Sequence, residues 1–271
     1  MDRFLSKKRS ADDEVEVIDQ PAKKKAVAGD GAASSSEEAA AGGAGEPAAR
    51  PIFIIAPGAS GGDCKELAEV LSRLGTVRGV AKWAGNFPGQ MPANVALLRA
   101  KIEEAAAALG GGGGEGAPPR RVVVVGHSFG CRVAVALMLQ HADGTGPPLP
   151  EGFCGDRAVL ESYPLYGPSA PSKGTDRVAP LRALPAGARL LFVSGAGDEF
   201  LQRGGPRGWR TGGPFGVAAL QEVVDSLACR PTCAVLPVEG ARHNSLKVAK
   251  KSQLAVEGRF VAAVKRFLAA E

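Results

Sequence analysis

Residues 121–140 read RVVVVGHSFGCRVAVALMLQ. The arginine and four valines that open the stretch favour an extended, buried strand. Cys131–Gln140 is apolar without a breaker and favours a buried helix. Between them, Gly126-His127-Ser128-Phe129-Gly130 has to reverse the chain. Gly126 and Gly130 lack Cβ atoms, so strand and helix can close tightly around the serine. A strand, a tight turn carrying Ser128, and a helix whose positive end faces that turn together make a nucleophile elbow.

The Gly-x-Ser-x-Gly pattern alone is a weak signal in this chain. With 15 serines and 37 glycines in 271 residues, chance supplies roughly 0.3 matches to it. A second match exists, Gly58-Ala59-Ser60-Gly61-Gly62, also after an apolar strand. Its trailing glycines delay any helix, so that loop is suited to presenting backbone amides. Ser128 has strand, turn and helix, and is the expected nucleophile.

Outward from the elbow, the same alternation of strand and helix continues. Pro51–Ala56, Thr76–Val80, Arg121–Val125, Arg157–Glu161, Arg189–Ser194 and Cys233–Val238 read as strands. Helical spacing runs through Cys64, Leu67, Ala68, Leu71 and Leu74, and through Phe260, Val261, Val264, Phe267 and Leu268. Further helices are expected near 92–109, 129–141 and 217–228. Strands apolar on both faces and separated by helices predict a mostly parallel sheet of about six strands, covered on each side. The expected fold is α/β, a three-layer sandwich. Gly110–Gly114 with its following residues, and Asp143–Gly155, read as linkers at helix exits. Gln202–Gly216, containing Trp209, follows a strand end and could overhang a site.

The first fifty residues differ from the rest. They are rich in Ala, Gly, Ser, Glu and Lys, without apolar periodicity, and are expected to be disordered. The net charge of +5 divides into −2 for 1–50 and +7 for 51–271. Lys7-Lys8-Arg9 and Lys23-Lys24-Lys25 resemble a bipartite nuclear localisation signal, which implies importin as a partner. Val15-Glu16-Val17-Ile18, flanked by acids, resembles a SUMO-interacting strand. Five cysteines at 64, 131, 154, 229 and 233 lack zinc-ribbon spacing and suggest a reduced intracellular chain. No signal peptide or membrane span is expected, which points to the nucleus, the cytoplasm or both. Direct nucleic-acid binding has only excess positive charge behind it.

A serine hydroxyl needs a base, and the chain has three histidines. His127 adjoins Ser128 and must point elsewhere. His141 lies nearly 20 Å along the elbow helix. His243 remains, in the polar loop Glu239–Leu246 after the last strand. Asp198, in SGAGD after the fifth strand, is the expected partner of His243. Asp176 precedes that strand, Asp225 falls within a helix, and Glu199 is the nearest substitute. An oxyanion would be held by the amide of Phe129 and by that of Ala59, with Ser60 as second choice. The order Ser128, Asp198, His243 is that of the α/β-hydrolases.

Over nearly all of 51–271 the chain resembles the KANL/Tex-type branch of the α/β-hydrolases, related to dienelactone hydrolases. The resemblance rests on PGASGG, GHSFGCR, SYPLYGPS, LLFVSGAGDEF and RHNSLKV. It implies an α/β-hydrolase fold without a large lid and a triad of Ser128, Asp198 and His243. Pro57 stands where His is usual in that family, Arg-His-Asn where Asp-His is common, and the insert after Asp198 is Gly-rich. The expected activity is cleavage of a small ester or thioester through an acyl-enzyme, in a modest open pocket, with no metal or organic cofactor. The same family includes subunits of nuclear histone-acetyltransferase complexes with degraded sites. The alternative is therefore a catalytically idle scaffold of a chromatin-associated complex.

Overall fold

A computed structural model of the protein describes residues 50–60, 64–85, 88–108, 121–167, 177–201 and 216–270. The chain divides into two units, Met1–Gly45 and Glu46–Glu271. The basic clusters, the Val15–Ile18 segment, the Gly-rich linker at 110–114, Asp176 and Trp209 all lie outside the described residues.

The second unit is built on six strands: β1 (Ile52–Ala56), β2 (Thr76–Gly79), β3 (Val122–His127), β4 (Phe153–Glu161), β5 (Arg189–Gly195) and β6 (Cys233–Val238). They form one sheet in the order β2-β1-β3-β4-β5-β6, with every neighbouring pair parallel. Among the described residues, six α-helices accompany them: α1 (Lys65–Ser72), α2 (Met91–Ala107), α3 (Phe129–Ala142), α4 (Ala179–Arg182), α5 (Val217–Asp225) and α6 (Lys250–Ala269). All six strands expected from sequence are present.

The two-residue period of a strand sorts the core into two halves. Ile52, Ile54, Val122 and Val124 face one cluster, where α2 contributes Leu98 and Ile102 and α3 contributes Val133 and Leu137. Phe53, Ile55, Val123 and Val125 face the other, against Leu67 and Leu71 of α1 and Phe260 and Val264 of α6. A strand buried on both faces has no polar side, which is why β3 can be four valines in succession. The result is a three-layer sandwich. No helix among the described residues is long and apolar enough to cross a membrane.

Several boundaries differ from expectation. β4 begins at Phe153, not Arg157, so the preceding connection ends at Gly152. Gly155 and Asp156 are poor strand formers and hide the extension. The β3–β4 register also shifts between Val122 and Val124, so the early residues of β4 pair irregularly. β3 runs on through Gly126 to His127, two residues beyond the valines. The single-turn helix α4 was not foreseen, being too short to show a helical period.

The chain runs from β1 outward to β2, then returns to place β3 on the other side of β1. Loops leaving β1 and β3 therefore diverge, and the cleft they leave at the carboxyl edge is where sheets of this kind hold ligands.

Candidate active site

Ser128 stands between the end of β3 and the first residue of α3, with φ 49° and ψ −113°. A side chain in this region is strained, and the surrounding packing must hold it there. Gly126 and Gly130 supply the room. A Cβ at Gly126 would lie 2.5 Å from the Cα of Cys131, and one at Gly130 would strike the carbonyl oxygens of Ala56 and Pro57. The turn thus sits directly on the end of β1. Gly58, in the loop after β1, is near but less confined: a Cβ there would be 3.7 Å from the Cβ of Ser128 and 3.2 Å from Cδ2 of His127.

That loop is anchored by Trp83, whose indole Nε1–H donates to the carbonyl of Pro57 at 2.9 Å. Trp83 also packs edge-on against Phe129, ring centres 6.1 Å apart. Phe129 opens α3, where its amide has no intrahelical acceptor behind it. Ala59 and Ser60 lie in an exposed turn of the neighbouring loop. The elements expected to carry oxyanion donors are thus adjacent to Ser128.

Three sequence-distant side chains meet in a line. The hydroxyl of Ser128 lies 2.7 Å from Nε2 of His243. Nδ1 of His243 lies 3.0 and 3.1 Å from Oδ1 and Oδ2 of Asp198. Asp198 is fully buried, and its Oδ1 also accepts the amide N–H of Phe200 at 2.9 Å. The Phe200 ring lies 4.2 Å from that of His243, closing one side of the imidazole. With Nδ1–H donating to the carboxylate, Nε2 is left as the acceptor for the serine proton.

The loops that carry Asp198 and His243 are joined by main-chain bonds. Ala196 N–H donates to Val238 O at 2.9 Å, and Gly197 N–H to Ala241 O at 3.0 Å. A side chain at Gly195 would run into the carbonyls of Ala241 and Arg242, so glycine allows the two loops to touch. The rivals lie apart from this line. His141 packs over Gly155 at the start of β4. Asp225 is exposed at the end of α5, bonded to Gln221 and Arg230. Glu199 has Oε2 at 3.8 Å from Nε of Arg242. A hollow of about 300 Å³ bordered by Ile55, Pro57, Lys65 and Arg78 includes none of the three aligned residues.

A second histidine–carboxylate pair, not foreseen from sequence, lies beside the first. Nδ1 of His127 contacts Oε2 of Glu161, and its ring is 6.3 Å from that of His243. Burial alone would lower the imidazole's proton affinity, but the charge and hydrogen bond of Glu161 outweigh it and raise His127 above its ordinary value. Burial likewise pushes Glu161 up. The His127 charge and bond, with the Ser245 and Ser162 hydroxyls, pull it below the usual carboxylate range. Cys131, wholly buried, has its thiol pushed well up by burial and by the nearby Glu161 charge. It stays protonated and donates to the Glu161 carbonyl at 3.1 Å.

No protein-family model matches the chain, and no curated protein does. Solved structures match it in shape. A bacterial heroin esterase superposes with a TM-score of 0.53 at 17% identity, covering 83% of this chain and 78% of that one. A truncated carbohydrate esterase from gut microbiota gives 0.50 at 13% identity, covering 82% and 88%. A Coxiella burnetii protein described as an alpha-beta serine hydrolase homologue gives 0.49 at 14% identity, covering 79% and 85%. With its six parallel strands, the elbow after β3, and its likeness of shape to the two esterases, the chain has the α/β-hydrolase fold.

Proposed function

We propose that the protein is a serine hydrolase acting on a small ester or thioester. The observation that carries this reading is the unbroken line from Ser128 Oγ through the His243 ring to the buried Asp198 carboxylate. Ser128 attacks the carbonyl carbon as His243 Nε2 takes its proton. Asp198 holds the ring in the required tautomer and stabilises the imidazolium. The carbonyl oxygen becomes an oxyanion, received by the amides of Phe129 and Ala59, with Ser60 as second choice for the loop donor. His243 then returns its proton to the leaving alcohol or thiol. Water repeats the sequence on the acyl-enzyme and frees Ser128. Each proton moves on the one imidazole, and no metal or organic cofactor is invoked.

Ester chemistry agrees with two of the solved structures similar in shape, both described as esterases. The nearer family reading, the KANL/Tex-type branch, rests on the sequence motifs around Gly126–Arg132 and Arg242–Val248. We assign the tail a separate role: its two basic clusters serve as a nuclear address, and Val15–Ile18 as a SUMO-docking strand.

The test is labelling by a fluorophosphonate, which reacts with an activated serine. The wild-type protein labels, and Ser128→Ala loses all labelling while retaining its circular dichroism. Folded wild-type protein that does not label overturns the hydrolase reading and leaves the scaffold alternative.

A further inference from the structure

Glu161 ends β4, the strand that lies between the one delivering Ser128 and the one delivering Asp198. Its side chain is buried at 1% exposure, an expensive place for a carboxylate unless its oxygens are satisfied. They are satisfied from two directions. Oε2 takes Nδ1 of His127, the residue before the nucleophile. Oε1 accepts the amide N–H of Ser245 at 2.8 Å, the Ser245 hydroxyl, and the Ser162 hydroxyl at 2.9 Å. Ser245, two residues beyond His243, is itself completely buried. The carbonyl oxygen of Glu161 accepts the Ser128 amide at 2.9 Å and the Cys131 thiol. One residue therefore bonds the serine turn at three points and the histidine loop at two.

The two loops have little else to hold them together. Asp198 and His243 are linked through backbone bonds between their loops, but among the described residues no backbone hydrogen bond joins 126–131 to 239–246. Stability is also a weak reason for such a group. A buried ion pair can often be replaced by apolar side chains without loss.

We propose that Glu161 is a positioning residue, whose carboxylate ties the His243 loop to the Ser128 turn and sets the distance over which the serine proton moves. His127 is its countercharge, donating the bond that makes burial of the carboxylate tolerable. The inference rests on the reading of Ser128 and His243 as the reacting pair. A misplacement of about 1 Å between such groups costs on the order of 100-fold in rate.

The test uses the full chain, p-nitrophenyl acetate as substrate, and hydrogen exchange of peptides covering 239–249. Glu161→Ala lowers kcat by about 100-fold with KM little changed, and exchange at 241–246 quickens. Glu161→Gln recovers most of the rate. Its carbonyl end still accepts from Ser245 and Ser162, and its amide end donates to neutral His127. A role confined to stability predicts instead that apparent kcat falls only in proportion to the folded fraction, so that kcat per folded molecule is unchanged. Should the alanine variant not fold, Ser245→Ala carries the test, with a rate loss of about 5-fold and the same quickened exchange. Active wild type with kcat within threefold in the folded variants overturns the positioning role and leaves the hydrolase reading standing. Wild type that neither hydrolyses nor labels overturns the hydrolase reading. The tie between the loops then stands or falls on exchange at 241–246, and unchanged exchange in Glu161→Ala and Ser245→Ala overturns it.

Discussion

At the scale of single residues, the His127–Glu161 pair has a signature in pH. His127 is raised above its ordinary value of 6.5, so its contribution to stability is complete below that value and is lost as pH rises through the raised one. Glu161 is lowered below 4.5, so its contribution is complete above that value and is lost as pH falls through the lowered one. The pair therefore contributes most between about pH 4.5 and 6.5. His127→Asn keeps an N–H facing Glu161 but removes the charge. The difference in urea midpoint between wild type and this variant should be greatest near pH 5–6 and shrink toward pH 9; a constant difference would show an uncharged pair. Asp198 and Glu66 also bear on His127, so the measurement belongs at fixed ionic strength. Ser128, His243 and Asp198 could be picked out in the sequence because each follows a recognisable strand. Glu161 could not, since its partners His127 and Ser245 lie 34 and 84 residues away, and a glutamate at a strand end reads as an ordinary solvated group.

At the scale of elements, the junction of β3, α3 and β1 is the tightest in the site. Alanine is normally the better helix former by about 1 kcal/mol, so Gly130→Ala would stabilise an unconstrained helix. Here the methyl meets the carbonyls of Ala56 and Pro57, and the sign reverses. The variant should lose about 1–3 kcal/mol, read as a lower urea midpoint at unchanged m-value. An increase would mean that α3 does not press on β1. The strands themselves were easy to read, because Ile52–Ala56 and Val122–Val125 are buried on both faces and spell unbroken apolar runs. β4 was read four residues short because its opening pairs irregularly with β3. Burial there is partial, as the exposed Asp156 shows.

For the whole molecule, the unit Glu46–Glu271 contains the complete sheet and both apolar clusters. Removing residues 1–45 should leave the melting temperature and fluorophosphonate labelling unchanged, while a fluorescent fusion loses nuclear accumulation. Continued accumulation would place the address elsewhere. The order of strands has one further outcome. Ser128 and His243 are 115 residues apart, and β6, which delivers the histidine loop, is the last of the six described strands in chain order. At 5–20 residues per second, a ribosome emits Ser128 roughly 6–23 s before His243. During that interval the hydroxyl is an ordinary alcohol, whatever passes by. On the proposed reading, the hydroxyl gains its reactivity only once β6 has docked and brought His243 to it.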